Sequence, residues 1–279
     1  MNFFKTGFVI LMMSFTTVVN AQQILPFYLN DHNNILLKTS VNNKDSLHLM
    51  FQIAMEDAAL SPQRTRTTEN VIFDSLNSVN INNYEFRDIH FSDNELAGIG
   101  ADGKIGHGIF KGKTFKIDYN NNRFEIYQKQ PNLSEYEPIE LIEQNGSYYI
   151  VADNVINDTQ KEVYFVLQSG YSGGLLYSDE FAANQKLDQF LKITNEKTLK
   201  NSSNQTLTTK QGILPFFKIG NIVLKNVSAG FFTGELKRQN VSYLGADVLK
   251  RFNWIFAADR KTVYIKPSKY FNDAYYQLK

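Results

Sequence analysis

Apolar and polar residues alternate with a period of two through Phe115-Lys116-Ile117-Asp118-Tyr119 and again through Phe124-Glu125-Ile126-Tyr127, with Asn120-Asn121-Asn122-Arg123 between them. Period two sends successive side chains to opposite faces of an extended chain, and Asn accepts the left-handed backbone of a tight turn. The stretch therefore predicts a β-hairpin. Trp254-Ile255-Phe256 and Thr262-Val263-Tyr264-Ile265 repeat the design around Ala257-Ala258-Asp259-Arg260-Lys261. Alternating or short apolar runs predict further strands at 35–41, 46–53, 147–152, 163–168, 216–219 and 222–227. Helical spacing is confined to 179–191 and 246–251. The chain reads as mainly β, with Trp254 and the pairs Phe216-Phe217 and Phe231-Phe232 assigned to core packing.

The pattern also repeats along the chain. Phe51-Gln52-Ile53-Ala54 answers Leu167-Gln168-Ser169-Gly170, each closing an apolar strand, and Ile105-Gly106 answers Leu244-Gly245 ahead of the closing hairpin. Arg123 is matched with Arg260 inside those hairpins. The spacing between partners drifts from 116 to 139 residues, which places an insertion in the second copy, most simply in the polar stretch 194–210. Two lobes are expected, 22–130 and 131–279.

Ahead of the first strand, Lys5, an apolar run at 8–19 and the short residues Val19-Asn20-Ala21 read as a secretory signal peptide occupying 1–21. The run is shorter than the roughly twenty apolar residues that a membrane span needs, so the mature chain is expected to be exported and free of the membrane. Lys plus Arg number 29 against 28 Asp plus Glu, without a basic block, which argues against nucleic acid or anionic lipid as partner. Cysteine is absent, which excludes disulfides, thiol catalysis and cysteine-ligated zinc. Export without cysteine fits a bacterial periplasm or exterior.

In the second half, Phe165-Val166-Leu167-Gln168-Ser169-Gly170-Tyr171-Ser172-Gly173 is followed by Tyr243-Leu244-Gly245-Ala246-Asp247-Val248-Leu249-Lys250-Arg251-Phe252. This order resembles a lobe of the aspartic peptidases, in particular the bacterial retropepsin-like family with two fused lobes. In that family a strand ends in Asp-Thr-Gly and a later motif reads Leu-Gly-x-Asp-x-Leu. The first half matches more weakly, through Phe51-Gln52-Ile53-Ala54-Met55 and Asp102-Gly103-Lys104-Ile105-Gly106-His107-Gly108-Ile109-Phe110. The resemblance covers nearly all of the chain after the leader. It implies an all-β, bilobal acid-protease fold: two pseudo-symmetric β lobes with short helices and a peptide cleft between them.

The same resemblance carries a departure. The two catalytic Asp positions of the family fall on Gln52 and Gln168, the Thr on Ile53 and Ser169, and the Gly on Ala54 and Gly170. The family's chemistry needs two carboxylates sharing a proton, one as general base on water and one as general acid. An amide has no titratable proton, so the inherited mechanism cannot run. Ile53 also lacks the hydroxyl of the family Thr. Ala54 makes its turn costlier wherever the backbone there needs a positive φ. Glu56, Asp57 and Asp179 read as capping or surface acids rather than replacements.

Gly170-Tyr171-Ser172-Gly173-Gly174 also satisfies the Gly-x-Ser-x-Gly nucleophile elbow, but His32, His48, His90 and His107 all precede Ser172, opposite to the order that fold uses. The histidines lack metal-ligand spacing, and Gly98-Ile99-Gly100 with Gly103 opens no phosphate-binding helix. Neither a metal nor a cofactor is expected. The reading is an exported, catalytically inactive protein that binds an extended peptide or protein segment, with Ile53, Ala54, Ser169, Gly170, Tyr171 and Ser172 beside the two glutamines in the cleft. Its alternatives are an endopeptidase with a non-standard active site and a structural or regulatory partner of an active homologue. Oligomeric state is left open.

Overall fold

The computed structural model describes residues 23–43, 45–64, 75–93 and 95–277; the expected leader at 1–21 lies outside them. The first half folds as β1 (Gln23–Pro26), β2 (Tyr28–Leu29), β3 (Ile35–Val41), β4 (Asp45–Gln52), β5 (Ala58–Leu60), β6 (Leu76–Ile81), β7 (Tyr84–Ser92), β8 (Gly103–Gly106), β9 (Thr114–Asp118) and β10 (Arg123–Tyr127). The second half supplies β11 (Glu137–Glu140), β12 (Ile142–Gln144), β13 (Ser147–Ile156), β14 (Thr159–Gln168), β15 (Leu175–Leu176), α1 (Asp179–Asn184) and α2 (Leu187–Phe190). It continues with β16 (Lys192–Lys200), β17 (Thr206–Ile219), β18 (Ile222–Thr233), β19 (Ser242–Gly245), α3 (Ala246–Leu249), β20 (Phe252–Phe256) and β21 (Thr262–Pro267). Every strand expected from alternation is present, and Asn82, Asn122, Asn145 and Asn157 hold positive φ at hairpin turns as their chemistry allows.

Two sheets have the same wiring. One runs β2-β3-β4-β8-β5-β7-β6 and the other β12-β13-β14-β19-β15-β18-β17-β16, so among the described residues β16 is an edge strand without a counterpart in an otherwise matching order. Each sheet closes on itself through a further pairing, β3 with β6 and β13 with β17, which makes the lobes barrel-like. A third, six-stranded sheet, β1-β10-β9-β20-β21-β11, joins the halves. Its central pair places Phe115 opposite Phe256, Lys116 opposite Ile255 and Ile117 opposite Trp254. The register is symmetric about Lys116 and Ile255, so a pseudo-two-fold axis passes between β9 and β20.

Three expectations need correction. The insertion expected at 194–210 lies earlier: among the described residues α1, α2 and β16 (179–200) have no counterpart in the first half, and β17 matches β6 only from Phe216 on, where it closes the barrel on β13. The helix expected at 179–191 breaks in two, because Lys186 takes a left-handed conformation between α1 and α2, and the one at 246–251 stops at Leu249. Arg123 and Arg260 are not equivalent. Arg123 opens β10 opposite Asp118, whereas Arg260 lies in the β20–β21 turn with φ 56.

The core alternates as a strand face requires. Phe217 is fully buried, but Phe216, expected in the core, is 45% exposed because it points to the other face of β17. An aromatic column crosses from lobe to lobe: Phe110 stacks on Phe115 at 4.2 Å and Phe115 on Phe256 at 4.7 Å. Behind β19 the motif Asp247 is fully buried beside Arg251, whose guanidinium donates to the carbonyls of Tyr270, Phe271 and Asp273 and lies 3.7 Å over Tyr275. Asp247 also accepts the Tyr276 backbone N–H at 2.6 Å, so one ion pair straps the terminal segment to the lobe.

A polar chain runs beside the column. Arg260 Nε donates to Tyr148 Oη (3.1 Å), Tyr148 Oη donates to His107 Nδ1 (2.8 Å), and His107 Nε2 donates to the Gly146 carbonyl (3.0 Å). Burial holds the His107 pKa below its ordinary value, and the Arg260 charge acts in the same direction against the Gly146 hydrogen bond and the charges of Glu143 and Glu56. Because the folded pKa is lowered, the unfolded chain binds more protons, so this contribution is complete above about pH 6.5 and is lost as pH falls below it. We expect the stability gap between the wild type and His107→Gln to be larger at pH 7.5 than at pH 5, as measured by guanidinium unfolding at both. An unchanged gap would show that His107 does not titrate on unfolding.

Candidate functional site

β4 and β14 each carry a core residue, Phe51 or Leu167, and then a glutamine that emerges from the strand end. Each lies parallel to a partner ending in glycine: Gln52 is opposite Gly106 on β8, and Gln168 is opposite Gly245 on β19. The chain after each glutamine folds back onto that glycine. Gly106 N–H donates to Asp57 O and His107 N–H to Met55 O, while Gly245 N–H donates to Gly174 O and Ala246 N–H to Tyr171 O. A Cβ on Gly106 or Gly245 would collide with those carbonyls, so the close approach requires glycine at both positions.

The pseudo-symmetry brings the two glutamines into direct contact. Gln52 Nε2 donates to Gln168 Oε1, and Gly170 N–H donates to the same oxygen at 3.2 Å. The Gly170 donor fixes which end of the Gln168 amide is oxygen, and thereby which end of Gln52 is nitrogen. Gln52 is 8% exposed, and its buried Oε1 has no hydrogen-bond partner among the described residues, an arrangement that costs about 1–3 kcal/mol. Gln168 Nε2 is likewise bonded to none of them.

Ser169 ties the turns together. Its Oγ accepts the Ile53 N–H at 3.0 Å and donates to the Phe51 carbonyl at 2.8 Å. No reciprocal bond comes from Ile53, a fully buried side chain without a hydroxyl. The Asn30–Asn34 turn adds a second clasp: Asn34 Nδ2 donates to Ser169 O at 2.9 Å, Asn33 Nδ2 to Ser172 O at 3.2 Å, and Lys250 Nζ to Asn33 Oδ1 at 3.0 Å. Neither Ala54 nor Gly170 has a positive φ, so the added Cβ of Ala54 does not strain its turn. Gly170 matters for space instead, since a Cβ there would meet Gln52 Oε1.

Above the pair lies a cavity of about 390 Å³ that Gln52, Gln168, Gly170 and Tyr171 line, between walls that include Met50, Leu96, Leu176 and Tyr243. Among the described residues its lining contains no carboxylate. Burial pushes the Tyr171 phenol well above its usual range, with the Asp247 charge adding to the shift. Lys104 stands on the first-lobe wall, 3.2 Å from Glu95. Glu56 and Asp57 are exposed; Glu56 bonds Lys111 at 2.9 Å, which holds its carboxyl below the usual range. Asp179 opens α1 and accepts the Gln239 N–H.

Of the residues expected at the site, Ile53 and Ser169 are buried beneath the cavity and Ser172 is held through its carbonyl. The glycine-rich stretch after Ser172 leads into β15, so it forms no nucleophile elbow. None of the histidines lines the cavity, and among the described residues no three His, Asp or Glu side chains are grouped to hold a metal ion. Sequence reasoning missed Asn33, Asn34 and Lys104. The two asparagines carry no signal in a chain rich in Asn turns, whereas the alternation in Lys104-Ile105 could have placed Lys104 on the cleft face of β8.

Compared by sequence, the chain matches no protein-family model and no curated protein. In fold it is similar to the crystal structure of an aspartic proteinase from Irpex lacteus. The match has a TM-score of 0.57 and covers 91% of this chain and 99% of that one, at 10% sequence identity. The architecture is that of an aspartic proteinase: all-β, with two barrel-like lobes.

Ser169→Ala should remove both cross-lobe bonds and leave the buried Ile53 N–H unpaired, lowering unfolding stability by about 1–3 kcal/mol. Ser169→Thr, which keeps a hydroxyl, should cost far less. Guanidinium unfolding of the two variants checks the difference, and equal stability of Ser169→Ala and the wild type would remove Ser169 as a lobe tie.

Proposed function

We propose that this chain is an exported bacterial protein that uses the aspartic-proteinase architecture to bind an extended peptide or protein segment between lobes 22–130 and 131–279, and that it does not hydrolyse it. In this reading Gln52 and Gln168 occupy the positions where the family has its catalytic carboxylates. The carrying observation is the direct amide-to-amide bond at the floor of a cavity whose lining has no carboxylate. Two amides cannot shuttle the proton that activates water and then protonates the leaving amine. What remains is a groove with apolar walls and a polar floor, a form suited to an extended chain whose side chains enter pockets and whose backbone is hydrogen-bonded. The residues at 5–21 support export, and export without cysteine fits a bacterial periplasm or exterior.

The protein beginning at Gln22 should leave an unfolded protein substrate intact from pH 3 to pH 7. Cleavage blocked by a statine-type transition-state analogue would overturn the reading in favour of a non-standard aspartic endopeptidase. Cleavage that resists the analogue, accompanied by labelling with a serine-directed probe, would move the chemistry to Ser172. Since neither turn is strained, the double variant Gln52→Asp with Gln168→Asp should gain acid-range cleavage with a bell-shaped pH profile. Each single variant should stay at least about 10²-fold slower, because one carboxylate cannot serve as base and acid together.

A further inference from the structure

The second lobe carries another cavity, of about 370 Å³, against the outward face of β14. Period two puts Gln168, Val166, Tyr164 and Glu162 on one face of that strand. Gln168 lines the cleft, whereas Tyr164 and Glu162 line the second cavity. The neighbouring chain repeats the relation, with Tyr243 of β19 in the cleft and Val241, just ahead of β19, in the second cavity. By the rise of a strand, Tyr164 stands about 13 Å along β14 from Gln168.

The walls of this cavity are already fixed. Asp179 N–H donates to Gln239 O at 2.7 Å, Gln239 N–H to Asp179 Oδ2 at 2.9 Å and Ser178 N–H to Ser242 Oγ at 3.0 Å, which clasps the start of α1 to the chain entering β19. Phe181, on the α1 wall, stacks on the buried Tyr177 at 5.0 Å. The groups these walls present are unused. Glu162 and Glu180 are exposed and bond to no described residue, and neither a lysine nor an arginine lines the cavity. Asp153, opposite Glu162 in the register, adds to the negative charge; Lys218, opposite Asp153 on the far side, forms no ion pair with a described acid. The hydroxyls of Tyr149 and Tyr164 are likewise without described partners, and Tyr164 is 62% and Val241 38% exposed.

Two uncompensated carboxylates among aromatic faces suit a cation with an apolar stem. A guanidinium meets carboxylates with its planar fork and stacks on rings, while its methylenes cover surfaces such as Val241. A sugar would also stack on Tyr164, but a neutral ligand leaves the charge of the two glutamates unanswered. We propose that this cavity receives an arginine side chain, carried by the segment that lies in the cleft, so that the protein selects extended segments with an arginine to one side of the residues over the glutamines. The selection rests on the cleft being a peptide site; the arginine site by itself does not.

The first test titrates Nα-acetylarginine methylamide, its neutral isostere Nα-acetylcitrulline methylamide, and cellobiose into the ¹⁵N-labelled protein beginning at Gln22, followed by backbone amide shifts. We expect the arginine form to give saturable shifts around 162–164, 180–181 and 240–242, to bind about tenfold tighter than the citrulline form, and to weaken with salt. Glu162→Gln with Glu180→Gln should bring arginine down to the citrulline level and leave the rest of the spectrum in place, since both side chains are exposed. Equal affinity for the two forms, indifference to the double variant, or shifts from cellobiose alone would overturn the site. The second test passes octapeptide pools with Leu, Phe or Val at the centre over immobilised protein, with arginine or citrulline at each other position in turn. Arginine should improve retention on one side of the centre only, and the double variant should lose that gain. Equal retention of arginine and citrulline pools would overturn the selection while leaving the cleft a peptide site. Retention of neither pool, with the arginine amide still bound, would overturn the peptide-cleft reading and the selection with it, and leave the arginine site standing.

Discussion

The cleft depends on the antiparallel contact between β9 and β20. Its register pairs Phe115 with Phe256 and Ile117 with Trp254 around a centre at Lys116 and Ile255. A slip of one residue would turn each apolar side chain of the strand to the opposite face. Phe115 would leave the stack it forms with Phe110 and Phe256, and the lobes would shift against each other. Gln52 and Gln168 would then no longer meet. The polar contact at the floor is thus set by hydrophobic register in a sheet that neither lobe could complete alone.

Within each lobe a second constraint works on the backbone. The turn after each glutamine can rest on the neighbouring strand only because Gly106 and Gly245 present no side chain. Their N–H groups then satisfy turn carbonyls that would otherwise be buried without partners. The glutamines are consequently displayed from two rigid strand ends, a more exact platform than a mobile loop provides. Ser169 and the Asn30–Asn34 turn lock those platforms across the lobe boundary.

Much of this was legible in the chain. A half-buried strand needs only period two, so the closing hairpins and β3, β4, β14 and β18 are visible as alternation, and the internal repeat brings Gln52 and Gln168 into correspondence. β6, β7 and β8 went unread although each buries part of a face, and legibility failed further where no apolar face exists. β16 is polar and exposed along almost its whole length, so it and the stretch of β17 that pairs with it have no apolar stripe to betray them. The break at Lys186 is equally silent, since nothing but tertiary packing selects a left-handed lysine. Matching Arg123 to Arg260 failed for another reason: a shared residue type in similar hairpins is not a shared position, and the ladder register decides position. The asparagines that clasp Ser169 and Ser172 could be found only in three dimensions, because their partners lie more than a hundred residues away.

The Ser169 tie has a consequence beyond holding the lobes. Two identical lobes about a true two-fold axis would make every cross-axis contact twice, once in each sense. Here the contact is made once: a hydroxyl stands on the second lobe and an isoleucine on the first, and the amide bond likewise runs from Gln52 to Gln168. Fusion of the halves into one chain is what permits this imbalance. A groove with two-fold-related ends would present the same groups in either direction, whereas this floor, with its hydroxyl tie on one side only and its amide bond running one way, presents a different chemistry from each end.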